Sequence, residues 1–145
     1  MTAMSPEQMK ARTKALAIRA IRLVASLPRN PASDVIGRQL LKSGTSVGAN
    51  YRAACRSRTD RDFLARMGTV EEETDESLYW MEVLIDADLM PRERLTDLMV
   101  ETEEILRIVV ASIKTARKRL QKPRCPKLVS APDAGRSFPR SGRTK

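Results

Sequence analysis

Side chains whose type and spacing suit chemistry fall in three places along the chain. The run Gly44-Thr45-Ser46-Val47-Gly48 has the G-x-S-x-G form of a serine-hydrolase elbow. Such an elbow needs a strand before the serine and a base to take its proton. Here the run sits inside a helical pattern, in a chain with no histidine at all. Helix packing therefore accounts for the glycines, and an enzymatic reading of Ser46 is set aside. Glu71, Glu72, Glu73, Asp75 and Glu76 form a second cluster. Carboxylates of this kind hold di-metal centres in helix bundles, but those centres draw Glu-x-x-His pairs from two of the helices. Without histidine no such pair exists, so the row reads as a solvated or partner-facing surface, with no metal and no cofactor expected. Arg52, Arg56, Arg58 and Arg61 crowd the third place. Guanidinium forks clamp phosphate oxygens in pairs, and two readings stay open: contact with RNA or DNA, or ion pairs to the acidic row of the same or a neighbouring chain. No aromatic side chain is interleaved among these arginines to stack bases, so the pattern offers charge without base reading.

The elements that carry these residues are helical. Aromatic residues make up only 3% of the chain, and the long segments are rich in Ala, Leu, Glu, Arg and Met, the strong helix formers. Ser5-Pro6-Glu7-Gln8 reads as a capping box with proline in the first turn. From there Met9, Thr13, Leu16, Ala20, Val24 and Leu27 recur at spacings of three and four, which predicts an amphipathic helix over about 6–27. A second helix is expected over about 33–54 from a Ser33 or Asp34 cap, with Ile36, Leu40, Ser43, Val47, Asn50 and Ala54 on its seam. Beside that seam runs a stripe of Gly37, Leu41, Gly44 and Gly48. Glycine costs helix stability, so three of them on one stripe predict that another backbone approaches closely there. Ser43 and Asn50 are polar on a predicted core seam. Each either bonds a backbone carbonyl and sets register, or lines a binding pocket.

Phe63, Met67, Val70, Thr74, Leu78, Met81 and Ile85 predict a third helix over about 60–87, and Leu95, Leu98, Thr102, Ile105, Val109, Ser112, Ala116 and Leu120 a fourth ending near Leu120. Tyr79 and Trp80 are adjacent, so they cannot both face the core. Four long amphipathic segments with short connectors predict an all-α, antiparallel up-down-up-down four-helix bundle over residues 1–120. Residues 121–145 carry four prolines among Ser, Gly, Lys and Arg, and they read as a disordered basic tail that includes Lys122, Arg124 and Lys127. Cys55 and Cys125 form no C-x-x-C pair and are expected as free thiols. The N-terminus lacks the layout of a signal peptide, and no stretch approaches the ~20 apolar residues of a membrane helix, so a cytoplasmic protein without membrane contact is expected.

The run Ser43-Gly44-Thr45-Ser46-Val47-Gly48-Ala49-Asn50-Tyr51-Arg52-Ala53-Ala54, then Asp62-Phe63, then Glu71-Glu72-Glu73-Thr74-Asp75-Glu76-Ser77-Leu78-Tyr79-Trp80, resembles the bacterial four helix bundle protein family. That family includes the 23S rRNA intervening-sequence proteins and is similar to the accessory variability determinant of diversity-generating retroelements. The resemblance covers about residues 14–119. It implies a four-helix protomer, assembly into a homopentamer and no enzymatic activity. The retroelement relatives bind a reverse transcriptase and RNA or DNA through basic surfaces, which makes nucleic acid and a reverse transcriptase the partners implied here. Ala53 and Ala54 stand where the commoner form of the motif has Glu and Gly. The matched positions Ser43, Gly44, Gly48, Ala49, Asn50 and Phe63 are implied to determine the fold and its helix packing.

Charge is unevenly spread. The chain carries a net +9, yet residues 1–60 hold 11 basic against 3 acidic residues, 61–90 hold 2 against 9, 91–120 hold 7 against 5, and 121–145 hold 7 against 1. Such polarity suits assembly between subunits as well as attraction to phosphate. The expected function is that of a non-enzymatic accessory or scaffold protein associating electrostatically with nucleic acid, with a protein-binding scaffold as the alternative.

Overall fold

The computed structural model describes residues 3–122. Among these the chain forms four helices, α1 (Pro6–Ala25), α2 (Pro31–Cys55), α3 (Asp60–Asp86) and α4 (Arg92–Gln121). Side-chain acceptors start the first three. Ser5 and Gln8 form the expected capping box on α1, and Thr59 accepts from the Asp62 amide on α3. On α2 the start lies earlier than Ser33 or Asp34: Asn30 is the cap, accepting from the Ser33 amide, and Pro31 occupies the first turn. A proline there has no amide to lose and its φ already suits the helix, so Pro31 opens α2. Helix α4 follows Pro91 with no side-chain cap. Between α3 and α4 the chain reverses through Asp88, whose φ of 55° lies in the left-handed region that Asp tolerates better than most residues.

Each helix packs against two others, in the cyclic order α1, α2, α3, α4, which is the up-down-up-down bundle. Pairings across the seams run antiparallel. On α1 and α2, Thr13 faces Gly48 and Val24 faces Gly37, and on α2 and α3, Ser43 meets Ser77.

The core is built from Leu16, Leu40, Val47, Met67, Met81, Leu95, Ile105 and Val109, all at most 1% exposed. Several predicted stripe positions move by one or more residues. Leu23 is buried where Leu27 is half-buried, Tyr51 where Asn50 is half-buried, Leu84 where Ile85 is half-buried, and Ile113 where Ser112 is half-buried. Leu120, expected on the core stripe of α4, is exposed. The stripe of a 3.6-residue helix drifts against a seam counted in threes and fours, so positions near helix ends rotate out of the core. Five hydroxyl residues, Thr13, Ser43, Thr74, Ser77 and Thr102, are also fully buried. They satisfy themselves locally, as when Thr74 donates to the Val70 carbonyl at 2.6 Å and Thr102 to the Leu98 carbonyl at 2.7 Å.

The glycine stripe does what its composition requires. An ideal Cβ on Gly44 would lie 3.0 Å from the Ala20 Cβ, and one on Gly48 would lie 3.3 Å from the Thr13 carbonyl. Helix α1 thus sits against α2 so closely that a Cβ at either position would press the neighbour back by a few tenths of an ångström. Of the segment 121–145, Gln121 is the last residue of α4 and Lys122 is exposed, while 123–145, with Arg124, Cys125 and Lys127, lie outside the described residues. Among the described residues no helix is long and apolar enough to cross a membrane.

Candidate nucleic-acid interface

Antiparallel topology brings the start of α1, the end of α2, the start of α3 and the end of α4 to one end of the bundle. The four arginines singled out in the sequence lie there, all exposed, and the structure divides them into two pairs. Helix α2 closes at Arg56, whose amide donates to the Ala53 and Ala54 carbonyls. Residues beyond that cap therefore leave the helix face that Arg52 and Arg56 share. Arg52 and Arg56 line a shallow groove of about 550 Å³ between α1 and α2, with Lys10 and Lys14 on its α1 side and Gly48 and Ala49 at its base. Arg58 and Arg61 line a larger open groove of about 1290 Å³ across the bundle end, and Arg119 of α4 joins them. Lys10 lines both grooves.

None of Arg52, Arg56, Arg58 and Arg61 pairs with a carboxylate among the described residues, whereas nearby Arg66 bonds Asp62 at 3.4 Å. Ion pairing to the acidic row of their own chain, one of the two readings of the cluster, is therefore not made. Two acidic groups share the bundle end groove, Glu7 and Asp60. Glu7 is matched by Lys10 at 2.9 Å. The charge balance along α4 strengthens the same end: before Arg107 stand five acids, Glu93, Asp97, Glu101, Glu103 and Glu104, against Arg92 and Arg94, and after it only cations, Lys114, Arg117, Lys118 and Arg119, all four exposed.

The groove across the bundle end is not uniformly polar. Phe63, half-buried against the core, lines it with Tyr51, Ile108 and Ala111. Tyr51 is 8% exposed, and burial pushes its phenol above the ordinary tyrosine range, with the Cys55 thiol beside it acting in the same direction. Tyr51 and Phe63, which flank the arginine cluster in sequence, thus bring aromatic rings to the groove that Arg58 and Arg61 line. Ser57 Oγ is shut off from solvent and has no hydrogen-bond partner. Lys10, Lys14 and Arg119 are contributions to this end that spacing along the chain does not reveal, whereas Phe63 stands two residues from Arg61. The usable signal was the purely cationic last part of α4, combined with antiparallel topology.

The other singled-out residues have structural places. Ser77 donates its hydroxyl to Ser43 Oγ at 3.0 Å, and Ser43 donates to the Leu40 carbonyl at 3.3 Å. Asn50 Nδ2 donates to the Ser46 carbonyl at 2.9 Å. Of the two readings of these polar residues, the register-setting one is observed, with Asn50 bonded inside α2 and Ser43 bonded both inside α2 and to the facing α3, and neither lines a groove at the bundle end. Gly44 and Gly48 face α1, and Ala49 is exposed. Ser46 lies within α2, donating to the Lys42 carbonyl at 2.6 Å.

In the acidic row, Glu72 and Asp75 are exposed and Glu71, Glu73 and Glu76 half-buried. Among the described residues no three His, Cys, Asp or Glu side chains are placed to hold a metal ion. Glu73 Oε2 is shut off from solvent without a partner, and burial, then the charge of Glu76, raises the Glu73 carboxyl above its usual range. Trp80 is half-buried and donates Nε1–H to Glu76 at 3.0 Å, while Tyr79 is 55% exposed, so the adjacent pair divides as its helical spacing demands.

The 23S rRNA-intervening sequence protein family model matches residues 7–111, a span that runs from the first turn of α1 to the α4 wall of the large groove. A crystal structure of a protein of unknown function from the S23 ribosomal protein family of Bacteroides thetaiotaomicron VPI-5482 is similar, with a TM-score of 0.69 and 30% sequence identity. The match covers 73% of this chain and 98% of that one. No curated protein matches. With the bundle, the glycine seam and the matched span in agreement, the chain belongs to the 23S rRNA-intervening sequence protein family.

Proposed function

We propose that the protein is a non-enzymatic, homo-oligomeric accessory protein that binds RNA or DNA electrostatically through the basic end of its bundle. The observation that carries this reading is the convergence of Arg58, Arg61, Arg119 and Lys10 on one groove, with Arg52 and Arg56 alongside and, among the described residues, no carboxylate pairing any of the four junction arginines. Unpaired guanidinium groups release counterions from a phosphate backbone without selecting sequence. Self-association rests on the charge contrast between residues 61–90, with 2 basic against 9 acidic residues, and the basic segments that flank them. Five subunits is the number the family resemblance implies, and native mass spectrometry reads it directly.

The test of binding is an anisotropy titration of RNA and DNA at several salt concentrations. Affinity is expected to fall linearly on a log-log plot, and Arg58→Glu with Arg61→Glu is expected to weaken binding at least tenfold while lowering the slope by about one per cation removed. No binding at low salt overturns the reading. Loss of binding on truncation after Gln121 would move the interface from the bundle to the tail. The alternative, a scaffold for another protein, draws on the acidic outer face of α3 with Tyr79 exposed on it. A protein retained on the immobilised chain after nuclease treatment, and lost on Tyr79→Ala, would favour it.

A further inference from the structure

Resting on the proposed binding of nucleic acid, we infer that the groove across the bundle end takes an unpaired nucleotide, so that single strands are preferred to duplex. Two features of the groove point this way. Its rim carries Arg58, Arg61 and Arg119, while its wall is apolar and aromatic, with Phe63 and Ala111 facing the same space. A nucleotide lifted out of a strand has that same division, a charged phosphate on one side and a flat apolar base face on the other. The groove is also concave and, at about 1290 Å³, roomy enough for a base with its sugar. A duplex keeps its bases stacked inside and offers only a convex phosphate surface, so it can touch the rim but cannot fill the groove. Cationic grooves with an aromatic platform bind single strands this way, by tracking the backbone and stacking the base.

The experiment compares a short single-stranded oligonucleotide carrying 2-aminopurine at one terminus with the same strand annealed to its complement, using the full-length protein at fixed low salt. The single strand is expected to bind about tenfold more tightly than the duplex, with 2-aminopurine fluorescence quenched on binding as the base stacks. Phe63→Leu keeps an apolar side chain against the core and removes the aromatic face. It is expected to abolish the quenching and reduce single-strand affinity about fivefold, leaving duplex affinity unchanged. Ala111→Gln, at an exposed wall position of α4, crowds the groove without changing charge and is expected to lower the same ratio even if Phe63→Leu fails to fold. Equal affinity for the two forms, or silent 2-aminopurine, overturns the groove assignment and leaves the electrostatic reading standing. That result is also the one expected if a second copy or the chain's own segment beyond Lys122 fills the groove. Absence of binding by either form overturns both.

Discussion

Along α2, helix α1 lies so close that a methyl group on Gly44 would press on the Ala20 Cβ, whereas along α4 the same helix is held by an ion pair. Arg12 donates Nε–H to Glu101 Oε1 at 2.8 Å and Nη2–H to Glu101 Oε2 at 2.7 Å, with a third bond from Nη2 to Glu104 at 2.7 Å. The first seam is governed by shape, and neither salt nor acid alters it. The second is governed by charge, so its strength depends on the solution. One helix is thereby locked on one flank and conditionally held on the other, a division of labour that a count of buried residues would not show.

The largest expected effect breaks the shape seam. Gly44→Val places a branched side chain where Ala20 cannot rotate away, and it is expected to cost about 3 kcal/mol in urea unfolding. Breaking the charge seam costs less. Arg12→Ala leaves Glu101 and Glu104 without their donor, and a loss of about 2 kcal/mol is expected near neutral pH, reduced by solvent at the half-exposed Glu104. The Arg12 hydrogen bonds hold the Glu101 carboxyl below its usual range. A depressed carboxyl contributes stability that is present above its unfolded value of about 4.3 and is lost as pH falls through the folded value. Thermal unfolding of the wild type and of Arg12→Ala is therefore expected to differ at neutral pH and to converge in acid.

Glu73, in the seam between α2 and α3, sharpens the contrast because it is a half-buried carboxylate with no arginine to bond it. Its value is raised, so its charged form costs stability at neutral pH and the cost disappears as pH falls. Glu73→Gln is expected to stabilise by about 1 kcal/mol at neutral pH, with the gain shrinking in acid. The smallest effect comes from a glycine outside the close seam. A Cβ on Gly68 meets nothing within 4 Å, so Gly68→Ala is expected to stabilise by about 0.5–1 kcal/mol through helix propensity alone, opposite in sign to substitution at Gly44.

Much of this fold could be read from the chain because its determinants are local. The Ser5 and Gln8 capping box, the Thr13, Ala20 and Val24 stripe and the facing glycines all declare themselves within a few residues of one another. The Asn30 cap was hidden by Pro31, which reads equally as a breaker and as a first-turn residue. The candidate interface was half legible. Arg58, Arg61 and Phe63 are close in sequence, but Arg119 and Lys10 reach the same groove through topology, and Arg12 finds Glu101 across 89 residues. Spacing along the chain carries no information about such meetings; only the order in which helices alternate up and down does.

The sorting of charge along α4 has a consequence for how the protein moves before it touches anything. In an antiparallel bundle the four peptide dipoles oppose one another in pairs, so the electric axis of the molecule is set by side chains. With Lys114, Arg117, Lys118 and Arg119 at the end where Arg58 and Arg61 also lie, and the acids of α4 in its other half, that axis has a component running lengthwise along the bundle. The field of a polyanion exerts a torque on such a body and turns its cationic pole forward during approach, so collisions are biased to end-on encounters while the charges are still a Debye length or so apart.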